Sequence, residues 1–237
     1  MVYLYQTLIS HPILNILVFF YQTIAFHDFG LSIIFVTLLI RLILYPFFHK
    51  SAKQQMLMQR IQPHVKKIQE QHKDDREKQG QALMALYKEH GVNPFSGIFL
   101  LILQLPILIA LYRLFLSGIG PNQLSGLYSF IASPGTINST LLGIVDLHSK
   151  NLILVLLAGA AQYVQARLAI YRAPGAQGPA SQAEKMARQM SFIGPVITVV
   201  IFYNLPAAVG LYWFVSSAFS AFQQYLVNRH MLAKYGA

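Results

Sequence analysis

No cysteine occurs among the 237 residues, which excludes disulfides, thiolate nucleophiles and thiolate metal sites. A lipoprotein anchor on cysteine is likewise not expected. Charge is scarce: 11% of residues are charged against 55% hydrophobic, whereas a soluble domain carries about a quarter charged residues. A soluble globular domain is therefore excluded. Acids are scarcer still, with 8 Asp and Glu facing 18 Lys and Arg. Those acids are Asp28, Glu70, Asp74, Asp75, Glu77, Glu89, Asp146 and Glu184, each in a loop or at the end of an apolar run. Residues 1–40 contain no Lys or Arg, so the positive n-region of a secretory signal is missing. Residues 118–149 contain none either. There is no GxxxxGKS or GxxxxGKT, no HExxH, no GxSxG and no pair of carboxylates within an apolar run, which leaves nucleotide hydrolysis, zinc proteolysis and serine hydrolysis without a motif. The expectation is a protein that is not an enzyme and needs no cofactor or metal. The 8 His are scattered, and His64 and His72 read as solvated side chains rather than ligands.

What is present is apolar and periodic. The stretch GLSIIFVTLLIRLILYPFF, residues 30–48, is long enough to cross a membrane yet carries Arg41. From Leu31 to Arg41 a helix rises about 15 Å, half of a hydrocarbon core about 30 Å thick. An ionised residue at that depth is costly unless it faces protein or water, and it marks a functional site by default. With every acid at a loop or span end, Arg41 has no evident carboxylate partner. A water-filled, polar-lined cavity is the remaining way to hold it.

The other runs follow in order. Residues 8–26 are apolar but interrupted by His11, Pro12, Asn15, Gln22 and Thr23. A spanning helix and a helix in the outer headgroup layer compete there, and the short separation from the next span favours the interfacial one. The first span is 30–48, with Pro46 as a kink or boundary. Residues 49–92 change character. Ten Lys or Arg fall from Arg41 to Lys88, with Leu57, Ile61, Val65 and Ile68 on one helical face and Leu83, Leu86 and Tyr87 on another. That predicts a helical hairpin in water, bent at Pro63, with Asp74 or Asp75 as a cap and Gly91 as a stop. Further spans are predicted at about 95–117, 150–171, 190–205 and 209–228, with 190–205, the fourth span of the five, short. Loop 118–149 is placed outside, and loop 172–189 and the short tail after Arg229 inside, by the positive-inside rule. The N-terminus is then external and the C-terminus cytoplasmic. The domains are thus 1–29, 30–48, 49–92 and a four-span remainder, 93–237. The fold class is an all-α integral membrane protein of five transmembrane helices around a polar groove, with a cytoplasmic helical hairpin and an N-terminal interfacial helix.

Several stretches resemble the YidC/Oxa/Alb membrane protein insertases: GLSIIFVTLLIRLILYPF with Arg41, QPHVKKIQEQHK before LYKEHGVNPFSG, LLILQLPILIALY, AGAAQYVQARL, and GPVITVVIFYNLPAAVGLYWFVSSAFSAFQQYLVNR. The resemblance covers roughly residues 10–230. Three features depart from the family pattern. Within these 237 residues no additional N-terminal span with a large periplasmic domain and no long basic C-terminal tail is expected, and Gly97, Ile98, Phe99 and Leu100 stand where a Cys is usual.

The resemblance implies a groove centred on Arg41, open to the cytoplasm and sideways to lipid but closed outside. Its expected lining is Arg41, Thr37, Gln104, Gln162, Gln165, Trp213, Ser216 and Ser217, with Thr198 a further polar residue at mid-depth. Taken singly, each Gln or Ser here reads equally as an interhelical hydrogen bond. The implied activity is insertion and chaperoning of nascent membrane proteins in the bacterial plasma (inner) membrane. A client's apolar segment would slide against the second and fifth spans while its polar or acidic N-tail enters the groove, attracted by Arg41. The implied partners are nascent membrane proteins, the ribosome, the Sec translocon and the lipid bilayer, without nucleic-acid specificity. The rival reading is an anion transporter using Arg41, although no internal repeat of the transporter kind is visible.

Overall fold

Long apolar runs satisfy their backbone polar groups within one segment as helices, and the computed structural model is helical almost throughout. It describes residues 2–117, 121–170 and 182–235. The chain begins with α1 (Val2–Tyr5), a π-helical segment (Gln6–Ser10) and α2 (His11–Thr23), continuous in direction. Then come α3 (Phe29–Ile43), α4 (Tyr45–Arg60), α5 (Gln62–Gln71), α6 (Arg76–Glu89) and α7 (Ser96–Ser117). The short α8 (Pro121–Leu124) precedes a two-residue antiparallel ladder, β1 (Thr140–Leu141) with β2 (Val145–Asp146). Three long helices close the chain: α9 (Leu152–Ala169), α10 (Gln182–Phe202) and α11 (Ala207–Tyr235). Most of loop 172–189 lies outside the described residues or within the start of α10.

Residues 30–48 do not form one straight helix. Pro46 has no N–H to offer the preceding turn, and α3 and α4 meet at Leu44 with a bend of 64°. Among the described residues, Tyr3–Thr23 and Leu152–Ala169 are long and apolar enough to cross a membrane, and the bent α3–α4 pair is a third if taken as one span. The apolar parts Ile102–Leu116 and Arg188–Phe202 are shorter. The fourth run, read as sixteen residues, is the end of a helix that starts at Gln182.

The N-terminal run is strapped to α7 and to the loop beyond it. The Tyr5 hydroxyl donates to the Pro106 carbonyl at 3.1 Å, and the Arg113 guanidinium lies 5.8 Å from the Tyr5 ring. Buried Asn15 donates to Gly126 O at 3.0 Å and accepts from Tyr128 N at 2.7 Å. Gln22 donates to Ala132 O at 2.8 Å. The run therefore lies along the second half of α7.

One large core joins α2, α3, α7, α9 and α11 through buried Leu17, Phe29, Ile33, Leu111, Phe115, Val155 and Tyr212. Its residues lie towards the starts of α3, α9 and α11 and the end of α7. On α9, Ala158 and Gly159 are buried and Ala160 is exposed, so only part of the small-residue stretch serves as a helix contact. At the start of α3, Asp28 caps by accepting from Leu31 N at 2.8 Å and also accepts from Leu142 N. A Cβ on Gly30 would stand 2.4 Å from Leu141 Cδ1. Only glycine there lets β1 rest on the helix.

The α5–α6 pair has a separate core of Ile61, Val65, Leu86 and Val92. Asp75 opens α6 by accepting from Lys78 N at 3.0 Å. That bond, with the Lys78 side chain, holds the Asp75 carboxyl below the usual carboxylate range. Gly91, with φ of +62°, ends the helix in a conformation that costs glycine little. In the loop before α9, the Ser149 hydroxyl and the His148 backbone N–H lower the Asp146 carboxyl in the same way.

Candidate functional site

Arg41 occupies the last turn of α3, where the helix carbonyls favour a cation. The side chain is buried, with 7% of its surface exposed. Its Nε donates to Ser216 Oγ at 2.9 Å, and Nη2 donates to the same hydroxyl. The guanidinium carbon lies 4.4 Å from the Phe48 ring centroid, a cation–π contact. Nη1 is buried and has no partner. Among the described residues no carboxylate pairs with Arg41; Lys66–Glu70 and Lys78–Asp75 are ion pairs on or beside α5 and α6. One hydroxyl and one ring are little compensation for a buried charge.

The remainder comes from the space beside it. A cavity of about 400 Å³ is walled by α3, α4, α7, α9 and α11, room for on the order of ten waters at about 30 Å³ each. Among the described residues Arg41 is the only charged one in the lining; the polar neighbours are Ser51, Gln55, Gln104, Gln162, Gln165, Trp213, Ser216, Ser217, Ser220, Gln223 and Gln224. Ser220 Oγ is, like Nη1, buried without a partner. Two polar groups without a hydrogen-bond partner thus sit in the wall of one cavity. The lining runs from Arg41 towards α4 and the ends of α9 and α11, while the apolar core fills the opposite direction. The cavity is accordingly blind at one end.

Of the residues singled out in the sequence, Arg41, Gln104, Gln162, Gln165, Trp213, Ser216 and Ser217 line this cavity together. Gln104 donates to the Tyr212 hydroxyl, and Gln162 Oε1 accepts from Trp213 Nε1 at 2.9 Å, tying α9 to α11. Thr37 is not among the lining. It is buried, and its hydroxyl is returned to its own helix, donating to Ile33 O at 2.6 Å. Thr198, on α10, is buried outside the lining as well.

Sequence reasoning missed Ser51, Gln55, Ser220, Gln223 and Gln224. Part of the signal was there: Trp213, Ser216, Ser220 and Gln223 recur at three and four residues, one helical stripe. The stripe continues into structure, since Gln223 donates to Tyr45 O at 3.0 Å just after the α3–α4 bend. The adjacent Gln224 donates to Asn228, one turn on, which donates to Leu168 O at 2.7 Å. Gln59 closes the same end by donating to Ala169 O at 2.6 Å.

Comparison with known proteins gives a consistent result. Residues 19–234 match the family model described as 60Kd inner membrane protein. The chain is 33% identical over 225 residues to a protein named membrane protein insertase YidC from Syntrophobacter fumaroxidans, covering 94% of this chain and 38% of that one. It is 34% identical over 208 residues to proteins of the same name from Francisella philomiragia and Francisella tularensis subsp. novicida, covering 87% of this chain and 33% of each. The chain spans about a third of the length of the curated relatives it matches.

Proposed function

Because the chain belongs to the 60Kd inner membrane protein family, the YidC/Oxa/Alb group, we propose that it inserts and chaperones nascent membrane proteins through the Arg41 cavity. The observation that carries this reading is the buried, acid-free Arg41 with Nη1 unspent, set in a blind cavity lined by neutral polar groups. Such a site attracts an acidic or polar tail without holding it tightly, because hydration competes at every contact.

In this reading the bundle crosses a bacterial inner membrane five times, through α3 with the start of α4, α7, α9, α10 and α11. The N-terminus is outside and the C-terminus inside, as the basic loops direct. The N-terminal run lies obliquely in the outer leaflet, and the α5–α6 hairpin stands in the cytoplasm. The cavity then opens inward, and the apolar core seals it outward. A client's apolar segment travels along the lipid side. Phe99, Ile102, Leu105 and Ile109 form an exposed apolar face on α7, and Phe192, Val196 and Val200 form another on α10. α11 is largely buried, which favours α7 and α10 over α7 and α11 as the walls of that path. The tail enters the cavity meanwhile, where water and Arg41 lower its desolvation cost. No bond is made or broken. The partners this mechanism requires are nascent chains and lipid, with the ribosome and the Sec translocon meeting the cytoplasmic side.

Photo-crosslinking from position 165, in the cavity wall, during translation into membranes tests this function. Adducts to nascent chains that appear and vanish with chain length are expected. Insertion that proceeds with no nascent-chain adduct at position 165 would contradict the proposed path.

A further inference from the structure

Large apolar side chains on the outward faces of membrane helices need no special account, but those exposed on loops do. At the end of the molecule where α2 meets α3, Phe26 is 86% exposed, Phe130 79% and Ile144 83%, with Leu142 also well exposed. They come from three separate segments: the α2–α3 turn, the loop after α8, and the tip between β1 and β2. Hydrogen bonds from Gln22 to Ala132 O and from Leu142 N to Asp28 bind these segments to one another. Two of the apolar tips are held at a cost. Phe26 and Leu142 have φ of +52° each, a left-handed conformation uncommon outside glycine and asparagine. Water is a poor solvent for this set, and residues 118–149 carry no Lys or Arg that would draw them out of an apolar layer.

We propose that Phe26, Phe130, Leu142 and Ile144 seat this end of the molecule in the outer headgroup–acyl boundary of the bilayer and so fix the depth of Arg41. The coupling is mechanical. β1 rests on Gly30 with no room for a Cβ, and Asp28 clamps the tip to the first turn of α3. Arg41 follows on the same helix, about 18 Å further along at 1.5 Å per residue. A lipid surface suits these tips better than a protein groove, because they come from separate segments, are apolar and strongly exposed, and have no Lys or Arg in residues 118–149 beside them. This inference rests on the five-span reading above, and its test separates the two.

The cysteine-free chain allows single nitroxide labels in proteoliposomes, read as collisions with oxygen against a water-soluble nickel chelate. Phe26→Cys, Phe130→Cys and Ile144→Cys are measured beside Asp74→Cys, in the turn before α6, and Val200→Cys, on the exposed face of α10. Labels at the three tips are expected to favour oxygen over chelate, between the two controls. Tips as open to the chelate as position 74 overturn the proposal, and so do tips shielded from both reagents, which would mean protein cover. If position 200 is also open to the chelate, the five-span reading fails instead. A label at Leu42→Cys, beside Arg41 and exposed, reports depth directly. Its oxygen-to-chelate ratio should shift when Phe26→Ser and Ile144→Ser are combined, and an unchanged ratio removes the depth-setting role.

Discussion

The helical bundle and the α5–α6 pair solve the same problem for opposite solvents. In α5–α6 the apolar side chains Ile61, Val65, Leu86 and Val92 are inside and the charges, including Lys66–Glu70 and Lys78–Asp75, are outside. In the bundle a charged side chain is inside, at Arg41, and apolar faces such as that of α10 point outward. A hydrophobic stripe therefore means a core on α5 and an outward apolar wall on α10. The difference also locates the site: the small pair is an ordinary folded unit, and the bundle departs from ordinary packing at the polar-lined cavity beside Arg41.

If the two regions are independent, removing one should spare the other, and α4 marks the border. Replacing residues 62–89 by a short flexible linker should leave the thermal stability of the bundle in detergent nearly unchanged while lowering insertion. Extending the deletion to residues 51–89 should unfold the bundle, because Met56, buried against Val227, and the Ser51 bond to Ser96 O at 3.2 Å go with it. Equal stability of the two deletions, measured by thermal unfolding, would break the comparison.

A smaller effect is expected from each core by itself. Leu86→Ala should lower local opening free energy in α5–α6 by about 2–4 kcal/mol, seen as faster hydrogen exchange over residues 62–89 with no change in α9 or α11. Gly30→Ala should cost the bundle about 1–3 kcal/mol, since the added methyl must displace β1. Unfolding midpoints of the whole protein report the second and should barely register the first.

The smallest effect is confined to one helix end. The Asp75 carboxyl titrates lower in the folded protein than the ordinary value of about 3.9. A depressed folded value means that the cap's contribution is complete above the ordinary carboxylate range and is lost as pH falls through the folded value. Amide shifts of residues 76–79 in an NMR titration should move in that acidic window and be flat in Asp75→Asn. Movement near neutral pH would assign the cap to another group.

Much of this was legible from residues alone, and the failures have physical causes. Pro46 announced a kink or boundary near the end of the run 30–48, yet hydropathy averages across it, so neither the position of the bend, at Leu44, nor its 64° was legible. Asp75 and Gly91 were readable because caps and stops depend on local chemistry. Thr37 lies outside the cavity lining. It shares a helical face with Arg41, but a threonine in an apolar setting can bond to its own preceding turn. Ser51 and Gln55 were missed because α4 is hydrophilic enough to pass for part of a soluble hairpin, although it lines the cavity. Gln223 and Gln224 were missed because they follow an apolar run and look like an interface.

The central claim is that Arg41 acts on clients by its charge and not only by keeping the cavity wet. The direct measurement is insertion yield for one client with an acidic N-tail and with the same tail neutralised, each against Arg41 and its Lys, Gln and Ala substitutions, analysed as a double-mutant cycle. The account predicts that Lys retains part of the activity and Gln little for the acidic tail, and that neutralising the tail removes most of the dependence on position 41. Equal losses for both tails in every variant, with Gln performing as well as Lys, would contradict it.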